Sequence, residues 1–184
     1  MKYHVIVAHP DDELFHMGYF TTTKPGDVIL VGGAPAPYNK ERLNRFVKFV
    51  ESIPKSWHRF SFATDYLLSY DRQLLYINLY ESVKSKTRQG EYLVTHSYFD
   101  THPEHLLVNS VVTLIAHQLG LGLITSTGHY RQGVQFTQTP NYDKRGLIKK
   151  FYFEEYRDLK KSDYFNRFNM SSEFYHIIMR PINV

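Results

Sequence analysis

The sequence predicts an α/β sandwich with a largely parallel sheet. Two observations carry this reading. Short β-branched apolar runs alternate with longer segments of helical spacing, and glycine or polar residues close the runs. No Pro- or Gly-rich linker interrupts the alternation, so residues 1–184 read as one domain.

The elements follow in order. YHVIVA, ending at Ala8, is the first strand, and DDELFHMGYFTT (11–22) starts a helix with acids in its first turn. DVILVGG (27–33) is a second buried strand. NKERLNRFVKFVESI (39–53) is an amphipathic helix that Asn39 is placed to cap, with Leu43, Phe46, Val47 and Val50 at helical spacing. HRFSFA (58–63) makes a third strand, and residues 71–88 a helix that opens on Asp71 and ends in basic residues. EYLVTH (91–96) is the fourth strand, 103–120 a helix stopped by Gly120, and LGLITST (121–127) the fifth strand. The stretch from Lys144 to Phe165 is helical in part, and SEFYHIIMR (172–180) closes the sheet.

Composition narrows the chemistry. The chain has no cysteine, which excludes disulfides and thiolate metal sites. Any metal must be held by histidine and carboxylate, a set that suits Zn²⁺ and similar divalent ions. The net charge of +4 suits an anionic partner such as a phosphate or nucleic acid, and equally suits an ordinary solvated surface. The first apolar run is too short for a signal peptide and no later stretch is long enough to span a bilayer, so a cytoplasmic location is expected.

Two polar clusters stand out. His9, Asp11, Asp12 and Glu13 follow the first strand; His102, Glu104 and His105 follow the fourth. Sites in open parallel sheets gather at the carboxyl ends of strands, so both clusters belong to one edge. Either cluster alone could be a polar turn or an exposed helix start. Together they supply imidazoles and a carboxylate with one position left open, which is how a catalytic zinc site is built.

AHPDDE (8–13) and THPEH (101–105) resemble the two motifs of the LmbE-like, or PIG-L, family of zinc-dependent N-deacetylases. The resemblance covers roughly residues 1–120. It implies a Rossmann-like three-layer sandwich, with His9, Asp12 and His105 on zinc and Asp11 as general base. It further implies that His102, as imidazolium, stabilises the oxyanion, and that Glu104, which stands where the family has aspartate, orients a neighbouring histidine. Arg42, in RLNR, matches the arginine of a family pattern whose acid is absent and becomes a substrate contact. Of the family's glycine pair only Gly18 remains, and KKFYFEEYRDL matches the family's late helix loosely.

Glu13 reads as a helix-start acid or as a residue that holds the loop or touches a ligand histidine, His16 as a helix-face residue or an extra polar group in the site, His96 as a satisfied buried histidine or a pocket wall, and His129 as a loop residue at the same edge. The implied activity is removal of an N-acetyl group from an amino sugar or sugar conjugate, with a nucleotide or nucleic-acid carrier compatible with the charge. The competing reading is a catalytically degenerate member that binds an anionic partner.

Overall fold

A computed structural model of the chain describes residues 1–33, 39–59, 71–126, 137–153 and 173–182. It has the alternating order expected: β1 (Tyr3–Val7), α1 (Asp12–Phe15), α2 (Gly18–Thr23), β2 (Asp27–Leu30), α3 (Asn39–Glu51), β3 (Ser56–Arg59), α4 (Arg72–Lys86), β4 (Tyr92–His96), α5 (Pro103–Leu119), β5 (Gly122–Ser126), β6 (Thr137–Gln138), α6 (Lys144–Phe151) and β7 (Phe174–Met179). The seven strands form one mixed sheet in the order β3-β2-β1-β4-β5-β7-β6. The five strands from β3 to β5 run parallel, and β7 and β6 join by antiparallel pairing.

Alternation along the strands sends side chains to two apolar layers. Ile6, Ala8, Ile29 and Leu93 meet Leu75, Leu79 and Val83 of α4 and Val108, Val112 and Ile115 of α5. Val5, Val7, Val28 and Val94 face the other way, onto Leu14, Phe20, Phe46, Phe49 and Ile148 of α1, α2, α3 and α6. The sheet is therefore covered on both faces. No helix among the described residues is long and apolar enough to cross a membrane.

Most sequence boundaries hold within a residue or two. Asp71 caps α4 by accepting hydrogen bonds from the Gln73 and Leu74 N–H groups, and Gly120 ends α5 at φ 62°. β6, two residues long, has no sequence signature. Residues 60–63 of the expected third strand, the helical stretch after Phe153, and His129 lie outside the described residues.

The expected single helix over 11–22 is broken into α1 and α2. The cause is a buried pair from the far end of the chain. The Gly18 and Tyr19 N–H groups donate to the Glu173 carboxylate at 2.9 and 3.1 Å, and the Phe15 carbonyl accepts from Lys144 Nζ at 2.6 Å. Foreign side chains thus take the backbone groups that a continuous helix would pair with each other.

Candidate metal centre

β1 has β2 on one side and β4 on the other, so the chain leaves the sheet in opposite directions from two adjacent strands. A crevice at such a switch point collects the residues that follow each strand. His9 and Asp12 arrive from β1, and Asp100, His102, Glu104 and His105 from the loop after β4 and the first turn of α5.

His9, Asp12 and His105 converge. His9 Nδ1 lies 3.2 Å from His105 Nε2, and each of these nitrogens lies 3.3 Å from Asp12 Oδ2. Bonds of about 2.0–2.1 Å to a tetrahedral ion would separate its ligands by about 3.3–3.4 Å. The triangle therefore has the dimensions of three corners of such a shell.

The nitrogens opposite the triangle are also held. His9 Nε2 is hydrogen-bonded to the Glu104 carboxylate, and His105 Nδ1 to Asp100 Oδ2 at 2.9 Å. A carboxylate on the outer nitrogen fixes the tautomer that aims the inner lone pair at a metal. The residues present fit a divalent cation in donor type, in spacing and in these supporting carboxylates. His9 with His102 and His105, and Asp12 with His96 and His105, also bring donor atoms within 4.8 Å of one another.

Electrostatics agree with this grouping. Burial pushes the His9 and His105 imidazoles down, but Asp12 with Glu104 outweighs it at His9, and Asp12 with Asp100 at His105, leaving them at about 9 and about 10. Burial likewise opposes ionisation of Asp12 and Asp100, and the surrounding imidazoles overcome it and hold both acids well below the usual carboxylate range. The pocket is thus built for positive charge, as protons or as a cation that displaces them.

Asp11 and Asp12 are neighbours that face different ways. Asp11 has φ 99°, the sole positive value at a non-glycine among the described residues. That turn sends the Asp12 carboxylate to the histidines and the Asp11 carboxylate to Arg42, whose guanidinium also donates to the Pro10 carbonyl at 3.2 Å. Burial pushes the Asp11 carboxyl up to about 6 against the pull of Arg42.

Several expectations change. Arg42, expected as a substrate contact, sits on Asp11. Glu104 reaches His9, not the histidines beside it in sequence; the carboxylate on His105 is Asp100, one residue before THPEH, which sequence reasoning missed. His102 is the exposed member of the group, its ring 4.9 Å from that of His9, and burial followed by the charges of His105 and His9 lowers its pKa. Both effects work against the imidazolium form that the resemblance implies for it. His16 joins the cluster instead of a helix face: its ring lies 5.3 Å from His105 and 5.7 Å from His96, and burial lowers its pKa to about 4.

His96 is fully buried. Its Nε2 accepts the Ala8 N–H at 3.0 Å, and its ring stacks on His105 at 3.8 Å. His96 thus ties β1 to β4 and forms the floor under a site histidine, while its buried Nδ1 has no hydrogen-bond partner among the described residues, so the reading as a fully satisfied histidine does not hold. Glu13 does more than start a helix. It is fully buried, its carboxylate accepts from the Asp11 N–H at 2.8 Å and from the Tyr152 hydroxyl, and burial pushes its pKa well up.

No protein-family model matches the chain, and no curated protein sequence does. Solved structures do. A triple mutant of a deacetylase from the teicoplanin biosynthetic pathway superposes with TM-score 0.72 at 12% identity, covering 100% of both chains. The A40926 pseudoaglycone deacetylase Dbv21 gives 0.70 at 12% identity, covering 100% of this chain and 99% of its own. The N,N'-diacetylchitobiose deacetylase of Pyrococcus horikoshii gives 0.62 at 13%, covering 97% and 84%. At such identities the likeness is one of fold.

Proposed function

We propose that this protein is a metal-dependent N-deacetylase of the LmbE-like, PIG-L type that removes the acetyl group from an N-acetylated amino sugar or sugar conjugate. The observation that carries the proposal is the triangle of His9 Nδ1, Asp12 Oδ2 and His105 Nε2 with a separately held carboxylate, Asp11, beside it. The three fold neighbours described above are deacetylases by name and support the same reaction class. The parallel order β3-β2-β1-β4-β5 supports the Rossmann-like description of the sheet.

In this reading His9, Asp12 and His105 hold Zn²⁺ or a similar divalent ion. Such an ion, when bound, makes water more acidic and polarises an amide carbonyl. Asp11 takes a proton from the attacking water; its raised pKa makes it a better base than a solvated aspartate. Arg42 fixes the direction of that carboxylate. His102, exposed at the mouth, donates an N–H toward the carbonyl oxygen as negative charge develops there. The C–N bond breaks, the amine leaves with the proton held by Asp11, and acetate remains.

The test is to load purified protein with zinc and screen N-acetylated sugars and sugar conjugates for liberated amine, with a chelator as control. One ion per chain is expected. Asp11→Ala should lower turnover by about 10²–10⁴-fold with the ion retained. Loss of the ion in that variant would exchange the roles of the two aspartates, and wild-type protein that binds no metal would end the proposal.

A further inference from the structure

The positive φ at Asp11 is a costly conformation for a residue with a side chain. Something must hold it. The Asp11 carbonyl accepts from the Leu14 and Phe15 N–H groups at 3.0 and 2.9 Å, which α1 provides locally. The Asp11 N–H has a different fate. It donates to Glu13 Oε2 at 2.8 Å, a back-reaching bond like that of a capping box.

Glu13 is itself an odd tenant of that place. It is fully buried beside the apolar layer of Leu14, Phe15 and Phe49, and it lies close to the buried carboxylate of Asp11. A buried carboxyl is costly unless every oxygen is used. One oxygen serves the Asp11 N–H, and the other accepts the hydroxyl of Tyr152, at the end of α6. Tyr152 is fully buried, with its ring against Phe15 and Phe49, so its hydroxyl has a fixed address. A hydrophobic residue would fill this space at less cost than an acid, so packing alone does not account for Glu13.

We infer that Tyr152 is a positioning residue for the site: through Glu13 it holds the Asp11 backbone in the left-handed turn that separates the Asp11 carboxylate from Asp12. The role of Asp11 as base rests on the proposed deacetylase reading; the Tyr152–Glu13–Asp11 chain does not. Its function is to keep two adjacent carboxylates on two different tasks.

Tyr152→Phe keeps the ring and removes the hydroxyl. The readout independent of turnover is amide hydrogen exchange, measured by NMR. In Tyr152→Phe the Asp11 N–H should exchange about tenfold faster, the scale of one lost hydrogen bond, while the Val5 and Ile6 amides stay as protected as before. Glu13→Gln, which can still accept from Asp11 and meet Tyr152, should keep the Asp11 amide protected; Glu13→Ala should expose it and stands in if Tyr152→Phe does not fold. With a turned-over substrate in hand, Tyr152→Phe should lower kcat by about tenfold with KM and metal content unchanged. An unchanged Asp11 amide, or a loss of protection shared equally by Val5 and Ile6, overturns the inference. Wild-type protein with no turnover would overturn the deacetylase reading instead, and the exchange comparison would still decide this one.

Discussion

Glu104 shows how one methylene changes a site. Standing where the resembled family has aspartate, it crosses from the first turn of α5 to His9 on the other side of the crevice. Glu104→Gln weakens that hold on the His9 ring, and metal affinity should fall by about 10–100-fold in competition with a chelator. Glu104→Asp should weaken it as well, because the shorter side chain reaches less far. The residues that converge in the crevice were readable in the sequence because most of them sit in two compact motifs. Their pairing was not. Glu104 serves His9 and Asp100 serves His105, and neither choice follows from spacing, since both depend on how the α5 start faces the β1 loop.

At the scale of elements, the strands were legible because a strand buried on both faces is written as a continuous apolar run, as in YHVIVA. The α1–α2 break was not, because the groups that cause it stand 155 and 129 residues away in sequence. The edge of the sheet opposite the site has its own polar tie. His4 is fully buried and lies 2.9 Å from both Asp27 and Glu91, joining the beginnings of β1, β2 and β4. Burial raises the Glu91 carboxyl, and the His4 bond and the Arg88 N–H outweigh it, so its pKa falls below the ordinary 4.5. A depressed acid lends stability that is full above that value and disappears as pH falls through its folded pKa. Acid unfolding of Glu91→Gln should therefore show a shallower loss of stability below pH 4.5 than wild type, followed by circular dichroism.

For the molecule as a whole, one buried pair joins the two ends of the chain. Lys144 Nζ lies 2.8 Å from Glu173 Oε1, both fully buried, and the same glutamate accepts from the Tyr142 hydroxyl at 2.6 Å and from the start of α2. Removing one partner strands the other charge in the interior. Lys144→Met should cost about 3–5 kcal/mol in urea unfolding, and adding Glu173→Gln should recover part of that loss. Nothing in the composition announced this pair, since a lysine in KRGLIKK reads as a solvated helix face and Glu173 as the beginning of a strand.

The ribosome gives that join a meaning in time. Residues 9–19 emerge well before Lys144, Tyr152 and Glu173. Until they arrive, the Phe15 carbonyl and the Gly18 and Tyr19 N–H groups lack the partners that break the helix, and the turn at Asp11 lacks its brace. A half-made polypeptide therefore carries both histidine motifs before it can seat them, which delays ripening of the pocket until Glu173 has been made.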